Sequence, residues 1–199
     1  SGSHQGITAE VTLWVDVFAP VIHTEIRTNK PVHAEAVYES WRFKDRISEG
    51  KENNANSYKW ADREVKTYRD DISFEGQGVL FFHRNKEETV FDVTVHQQGL
   101  EEVKTQMFNP LQHLTFGGVM KGKDMAPAGT ETGRYLDTAY KGWKLKSVGP
   151  AKSHDVDIFL HTDQTSSLGQ WHSGLQETIA SASSQKKEAR EKTQEWWAE

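Results

Sequence analysis

Hydrophobic side chains at every second position are the feature that most constrains how this chain can fold. Near its start, four aliphatic residues follow this spacing: Val11, Leu13, Val15 and Val17. The positions between them hold Thr12, Trp14 and Asp16. Because successive side chains of a strand point to opposite faces, the four aliphatic residues share one face. Residues 11–17 are therefore predicted to form a β-strand.

Similar patterns recur along most of the sequence. Further strands are predicted at 21–27, 32–41, 78–83, 89–96, 114–120, 133–139, 143–148 and 156–162. A tight turn is predicted at 29–31, and a hairpin connection at 85–88. Short connections between the first three strands favour an antiparallel meander over parallel βαβ units.

Other segments depart from this pattern. Residues 48–73 are polar and highly charged, and a loop of that length is either functional or poorly ordered. Residues 100–107 are predicted to form a short helical excursion. Gly117 and Gly118 interrupt a predicted strand and allow a bulge or a close backbone approach.

The last part of the sequence is typical of a helix. Ser167 and Gln170 have the spacing of a capping box, in which each side chain bonds the other residue's backbone. Beyond them, apolar residues recur at intervals of three and four: Leu168, Trp171, Leu175, Ile179 and Ala182. The helix is expected to reach Trp196 and Trp197, two adjacent tryptophans that would normally be buried against a partner.

Composition limits the classes of function. The chain has 199 residues, of which 35% are hydrophobic, which suffices for one sizeable core but not for an added helical-barrel enzyme. The net charge of −5 argues against nucleic-acid binding, which needs a basic stripe. The absence of cysteine excludes disulfides and cysteine-based zinc sites. No apolar run approaches the roughly 18 residues of a membrane span.

No catalytic motif is recognisable. The sequence lacks a nucleophile elbow, a phosphate-binding loop, an HExxH motif and a dinucleotide fingerprint. None of the nine histidines forms an HxH or HxxxH pair, so neither a metal site nor a cofactor is predicted. No pair of carboxylates is singled out by a motif as the acid and base of a glycosidase.

The candidate contact residues are polar and aromatic. Hydrogen-bonding side chains are predicted at the two ends of an apolar hairpin: His83, Arg84 and Asn85 at one end, and His96 and Gln97 at the other. Sugars and polar interfaces both need such convergent donors and acceptors. Trp41 and Arg42 close the predicted third strand, and more aromatic residues lie in or near the long loop: Tyr58, Trp60 and Tyr68. Exposed aromatic rings stack on sugars, whereas buried ones are core or lid residues.

Several blocks, taken in order, resemble a known family. They are 11–16 running into 20–23, then 30–32, 39–42, 83–85, 96–100 and 115–118. Over about residues 7–176 the sequence is similar to the N-terminal module called domain of unknown function 5703. That module is found at the front of proteins resembling glycoside hydrolase families 65 and 95.

The resemblance implies a fold and a context. It implies an all-β antiparallel sandwich of the galactose-mutarotase-like supersandwich type over 1–164, and a helical linker over 165–199. A downstream (α/α)6 domain would then hold the catalytic residues, so this chain itself would not be an enzyme. Further strands would precede the segment that begins near residue 7, which would leave the sandwich incomplete at its N-terminus. Secretion or a periplasmic location is also implied, although residues 1–5 are not a signal peptide.

Three functions follow as expectations. The first is an accessory module that packs on the catalytic domain. Nine residues are candidates for contact with that domain or with a sugar: Trp41, Arg42, His83, Arg84, Asn85, His96, Gln97, Trp196 and Trp197. The second is a stand-alone carbohydrate-binding module that stacks sugars on Trp41, Tyr58 or Trp60, with an oligo- or polysaccharide as partner. The third is an aldose-mutarotase-like enzyme with His83 and His96 as acid groups.

Overall fold

The structure is a computed structural model. It describes residues 1–4, 6–48, 52, 58, 61, 64–86 and 88–198. Within these residues the strands are β1 Gly2–His4, β2 Ile7–Val15, β3 Val21–Val32, β4 Glu35–Ser40, β5 Arg46–Ile47, β6 Lys66–Thr67, β7 Asp71–Glu75, β8 Gly78–Arg84, β9 Leu114–Gly122, β10 Met125–Tyr135, β11 Thr138–Ser147 and β12 Ala151–Gln164. The helices are α1 Val90–Gln97, a 3-10 helix Glu101–Gln106, and α2 Leu168–Ala198.

The described strands form two packed sheets and a small ladder. The large sheet has seven strands in the order β1-β2-β3-β12-β9-β8-β7, and the small sheet has three in the order β10-β11-β4. Every pairing is antiparallel, including the short β5–β6 ladder. The small sheet covers one face of the large sheet and α2 covers the other. The predicted antiparallel sandwich with a C-terminal helix is confirmed.

The first core lies between the large sheet and α2. Trp171 and Leu175 of the helix are fully buried. They pack against alternate residues of the central strands: Leu80, Phe82, Val119 and Phe159. The Trp171 indole Nε1 donates a hydrogen bond to the carbonyl oxygen of His161 at 3.3 Å, which satisfies its polar atom. The helical spacing in the sequence therefore corresponds to this buried stripe.

The second core lies between the two sheets. The large sheet supplies Val79, Phe81 and Met120, which alternate along their strands with residues of the first core. The small sheet supplies Met125, Trp143 and Leu145. Strands β8 and β9 are thus apolar on both faces, which explains the nearly continuous hydrophobic run at 79–82.

Strand β2 is the exception to this double covering. Trp14 stacks on His23 of β3, with ring centroids 4.0 Å apart, on the face that carries α2. Val11, Leu13 and Val15 point to the other face and are 58%, 64% and 52% exposed. An aliphatic row on this strand therefore remains in contact with solvent.

A polar network joins α2 to the sheet beside the first core. His23 Nδ1 donates to Asp157 Oδ1 at 2.6 Å, and the Lys186 ammonium donates to the same carboxylate at 2.9 Å. Arg190 donates to both carboxylate oxygens of Glu25 at 3.0 Å. Burial raises the pKa of Asp157, but the bonds from His23 and Lys186 outweigh it, and the pKa lies below 3.8.

One predicted strand is wrong, because residues 89–96 belong to helix α1. Val90, Val93, Thr94 and Val95 are β-branched and suggested a strand. The helix begins at Thr89, whose backbone N–H donates to the Asp92 carboxylate at 2.7 Å in the manner of a capping box. It ends before Gly99, which adopts a left-handed conformation with φ of 64°. The hairpin connection predicted at 85–88 is therefore wrong as well, because a helix and not a second strand follows Thr89.

The predicted early meander is confirmed for its first pair, since β2 and β3 are antiparallel neighbours, and is wrong for its third strand. Strand β3 continues through the predicted turn at 29–31, where Asn29 accepts the Thr8 N–H at 2.8 Å. The chain then changes sheets, so that β4 pairs with β11 in the small sheet. The predicted strand at 133–139 is a hairpin instead, because β10 and β11 are joined there by Leu136 and Asp137. The described part of the predicted loop at 48–73 contains β6 and the start of β7.

Other local predictions are confirmed. The strands predicted at 78–83, 114–120 and 156–162 lie within β8, β9 and β12, and the excursion at 100–107 contains the 3-10 helix. Gln170 N–H donates to Ser167 Oγ at 3.3 Å, and Ser167 N–H to Gln170 Oε1 at 3.2 Å, which is the predicted capping box. A Cβ on Gly118 would clash with the Phe159 carbonyl oxygen, so the predicted close approach is present. None of the described helices is long and apolar enough to cross a membrane.

Replacement of Trp171 by alanine should destabilise the fold by about 3–5 kcal/mol, because it leaves a large cavity between α2 and the sheet. Urea denaturation followed by circular dichroism measures this. Trp197, which is 72% exposed, is the matched control. Its replacement by alanine should change the free energy of unfolding by no more than about 0.5 kcal/mol. Equal effects of the two substitutions would show that α2 does not pack through Trp171.

The substitution Asp157→Asn should destabilise the protein at neutral pH and have less effect in acid. A carboxylate with a lowered pKa stabilises the fold above its ordinary pKa of 3.8, and this contribution is lost as the pH falls through the lowered value. Urea denaturation of both proteins at about pH 7 and about pH 3 measures the difference. The exposed Asp137→Asn should show no such pH dependence. A difference that grows in acid would contradict the network.

Candidate functional site

A cleft of about 530 Å³ opens at one end of the sandwich. Three of the nine candidate contact residues line it together: Arg42, His83 and Asn85. Arg42 follows the end of β4, His83 lies near the end of β8, and Asn85 follows that strand. The wall opposite is formed by Val90 and Val93 of α1 and by residues around β6.

Asp70 is the residue that holds this end of the cleft in place. Its carboxylate accepts a hydrogen bond from His83 Nδ1 at 3.0 Å and forms an ion pair with Arg42 at 2.9 Å. Ser40 Oγ donates to its second oxygen at 3.3 Å. The Asp70 side chain is only 10% exposed. Because the carboxylate bonds residues from β4 and β8, it joins the two sheets at the cleft.

The same carboxylate affects a neighbouring tyrosine. Tyr38 of β4 stacks on Phe81 of β8, with ring centroids 4.1 Å apart. Burial, followed by the negative charge of Asp70, raises the pKa of Tyr38 to about 12. Tyr38 therefore keeps its proton at neutral pH and acts as part of the wall between the sheets.

Aromatic rings and cations alternate around the cleft. The Arg42 guanidinium lies 5.7 Å from the centroid of Phe116, and the ammonium groups of Lys66 and Lys86 lie 4.8 and 5.6 Å from that of Tyr68. Such contacts are attractive because the face of an aromatic ring is electronegative. The cleft can therefore bind a ligand that combines an apolar face with hydrogen-bonding groups.

Arg84 does not enter this cleft. It follows His83 on β8, so its side chain points to the opposite face of the sheet. Its guanidinium donates to the carbonyl oxygens of His113 and Thr165 at 2.9 and 2.8 Å. Arg84 therefore connects β8 to the segment that leads into α2. Asn85 also has a structural contact, since its amide donates to the Leu111 carbonyl at 2.9 Å.

His96 and Gln97 do not line the cleft with His83. They lie in the last turn of α1, and His96 Nδ1 donates to Glu101 Oε1 at 2.7 Å. The His96 side chain is 61% exposed. The predicted grouping at two ends of one hairpin is wrong because the second strand of that hairpin is a helix.

Trp41 lies apart from Arg42, on the outer face of the small sheet. Its indole is 48% exposed and its ring centroid lies 6.0 Å from that of Tyr135 and 6.5 Å from that of Tyr140. Among the loop aromatics, Tyr58 and Tyr68 line the cleft, and Trp60 lies outside the described residues.

Trp196 and Trp197 lie in the last turn of α2 and pack edge to face, with centroids 4.8 Å apart. They are 50% and 72% exposed. Together with Leu13 and Val15 of β2 they line a shallow hollow of about 820 Å³. The Val17 N–H donates to Thr193 Oγ1 at 3.4 Å, which holds this part of the helix against the end of β2.

Sequence reasoning missed Asp70, Tyr135 and Tyr140. Asp70 was hidden in the charged segment at 48–73, and nothing in its neighbourhood distinguishes it from Asp71. A signal did exist for the two tyrosines. Tyr135 immediately precedes the two-residue hairpin turn at 136–137, and Tyr140 follows that turn by three positions. Among the described residues, no group of three or more His, Asp or Glu side chains could hold a metal ion.

These observations define the class of protein: a two-sheet β-sandwich module with a covering helix and a polar, aromatic cleft at one end. The chain matches, over residues 1–199, the family described as Domain of unknown function (DUF5703). It belongs to that family, and the family resemblance found from the sequence is confirmed. No curated protein matches the chain.

Replacement of Asp70 by asparagine should destabilise the fold by about 1–3 kcal/mol, because the neutral amide lacks the charge that pairs with Arg42, and its NH2 group cannot accept the Ser40 hydroxyl as the second carboxylate oxygen does. Urea denaturation at neutral pH measures this. Asp71→Asn is the matched control, since Asp71 is adjacent and exposed. Its effect should stay within about 0.5 kcal/mol. Equal stabilities of the two variants would show that Asp70 does not join the sheets.

Proposed function

We propose that this chain is a non-catalytic β-sandwich module of a glycoside-hydrolase-like protein. In this proposal it packs on a downstream (α/α)6 catalytic domain, and its cleft around His83 borders the substrate site of that domain. The protein acts outside the cytoplasm, where polymeric carbohydrate is met. Membership of the DUF5703 family and the resemblance to the front of such hydrolases support this context.

The observation that carries the proposal is an exposed apolar surface, the helix-end patch, formed by Leu13, Val15, Trp196 and Trp197. Each of these side chains is at least half exposed. The hydrophobic effect makes exposure of two neighbouring tryptophans and two aliphatic residues costly. Tryptophan is also enriched among the residues that dominate the binding energy of protein interfaces. The patch therefore suits a permanent contact with another domain.

The chemistry of the cleft supports binding more than bond cleavage. Asp70, the carboxylate that bonds two of its lining residues, already accepts hydrogen bonds from Ser40 and His83 and forms an ion pair with Arg42. Its lone pairs are thus directed to groups of the protein itself. The remaining cations and rings suit the orientation of a sugar at the border of a larger site.

Hydrogen exchange tests the docking surface. The full-length gene product is compared with this isolated chain, and amides at 193–198 and 11–17 should exchange more slowly in the longer protein. The backbone at the tip of the β10–β11 hairpin is the internal control and should not change. Equal exchange at the helix-end patch in both proteins would overturn the docking proposal.

Turnover assays test the absence of catalysis in the isolated chain. Aryl glycosides should not be hydrolysed, and polarimetry should show no faster mutarotation of fresh glucose or galactose. Acceleration that disappears in His83→Ala would instead support the mutarotase alternative, with the His83–Asp70 pair as its proton-transfer group.

A further inference from the structure

The outer face of the small sheet carries a group of three aromatic rings, Trp41, Tyr135 and Tyr140, here called the aromatic platform. Tyr135 stacks on Tyr140 with centroids 4.9 Å apart and an angle of 26° between the rings. Trp41 lies 6.0 Å from Tyr135 and is tilted by 39°. Trp41 and Tyr135 are 48% and 54% exposed, so two neighbouring rings are open to solvent.

The strand register explains why these rings face outward. Trp143 and Leu145 of β11 point into the core between the sheets, so Tyr140 and Gly142 point away from it. Gly133 of β10 lies opposite Tyr140, and a Cβ at this position would meet the tyrosine ring at 2.5 Å. The glycine therefore provides the space in which Tyr140 lies against the sheet and supports Tyr135.

Carboxylates lie in the next row across the same face. Gly142 of β11 is opposite Glu131 of β10 on one side and Glu39 of β4 on the other. The Tyr135 hydroxyl donates to Glu39 at 3.1 Å, and this bond, with the charges of Glu39 and Glu131, raises the pKa of Tyr135. Both carboxylates are therefore near the platform. Glu131 also forms an ion pair with Lys144 of the same face at 3.3 Å, and the remaining lone pairs of the two carboxylates can accept hydrogen bonds.

The hairpin beside the platform ends in a tight turn. Leu136, which follows Tyr135, is 97% exposed and has φ of 51°, a left-handed conformation that is costly for a bulky residue. Glycine or asparagine would adopt it at lower cost. The two-residue turn of the hairpin requires a positive φ at its first position, which Leu136 occupies. The turn is held by Arg134, whose guanidinium donates to the Asp137 carbonyl at 2.8 Å.

We infer that the aromatic platform binds a neutral pyranose chain, with Trp41 and Tyr135 stacking on sugar rings and Glu39 and Glu131 accepting hydrogen bonds from hydroxyl groups. A pyranose has an apolar face of C–H groups, which suits the electronegative face of an aromatic ring. Its rim of hydroxyl donors suits carboxylate acceptors. Because Lys144 offsets the charge of Glu131, a uronic-acid chain would be repelled mainly by Glu39, and the site disfavours anionic glycans.

This site is separate from the helix-end patch of the proposed function. The platform is formed by β10, β11 and the residue after β4, on the outer face of the small sheet, whereas the helix-end patch is formed by β2 of the large sheet and the last turn of α2. The module can therefore hold polysaccharide with one surface while the other contacts a domain. Failure of either proposal leaves the other standing.

Affinity electrophoresis of the folded chain tests the platform. The native gels contain xyloglucan, galactomannan or mixed-linkage β-glucan as neutral probes and polygalacturonate as the anionic probe. At least one neutral polysaccharide should retard the protein, and polygalacturonate should not. Trp41→Ala and Tyr135→Ala should each weaken binding about tenfold, while Tyr135→Phe, which keeps the ring, should weaken it less.

The control variant is Trp196→Ala, whose indole is exposed to the same extent as that of Trp41 but lies on the helix-end patch. It should leave retardation unchanged. Circular dichroism melts check that each variant is folded, which is expected because both tryptophans are exposed. The inference is overturned if no neutral polysaccharide retards the chain, if polygalacturonate does so equally, or if Trp196→Ala weakens binding as much as Trp41→Ala.

Discussion

The fold depends on covering both faces of the large sheet. Strands β8, β9 and β12 carry apolar side chains on both faces, and exposure of either face to water would be unfavourable. Trp171 of α2 closes one face, and Trp143 of the small sheet closes the other. Because α2 alone closes its face of the large sheet, this helix is part of the fold and not only a connection. The polar network of His23, Asp157 and Lys186 then fixes the position of the helix beside the core.

The small sheet does not cover β2, and the residues left exposed there form part of the surface on which the proposed function rests. Val11, Leu13 and Val15 remain exposed where the small sheet no longer reaches, and the end of α2 adds Trp196 and Trp197 beside them. Uncovered apolar area of this kind is stabilised by contact with another surface. The aromatic platform has a different origin, since it is the outer side of a sheet whose inner side is already satisfied. Two surfaces of different chemistry therefore lie on different elements of one module.

Candidate residues that are adjacent in the sequence lie on opposite faces of their strand. His83 and Arg84 were predicted to act together, but the alternation of β8 sends His83 to the cleft and Arg84 to the helix side. Arg42 and Trp41 divide in the same way between the cleft and the platform. Conversely, Trp41 and Tyr135 are distant in sequence and meet only because β4 and β10 both pair with β11. Pairing between distant strands leaves no local trace, so the grouping of Trp41 with the two tyrosines could not be predicted from the sequence.

The sequence by itself determined the class of structure, most strands, the helical stripe with its Ser167 cap, and the family. These follow from local periodicity and from residues close together in the chain. It misjudged residues 89–96, where β-branched residues suggested a strand although Thr89, Asp92 and Gly99 favour a helix. Only the tertiary structure decided which face of each strand is buried, that Asp70 joins Arg42 to His83, and that three aromatic rings share one surface. Those outcomes depend on the register and the stacking of sheets, which are set by packing across the whole chain.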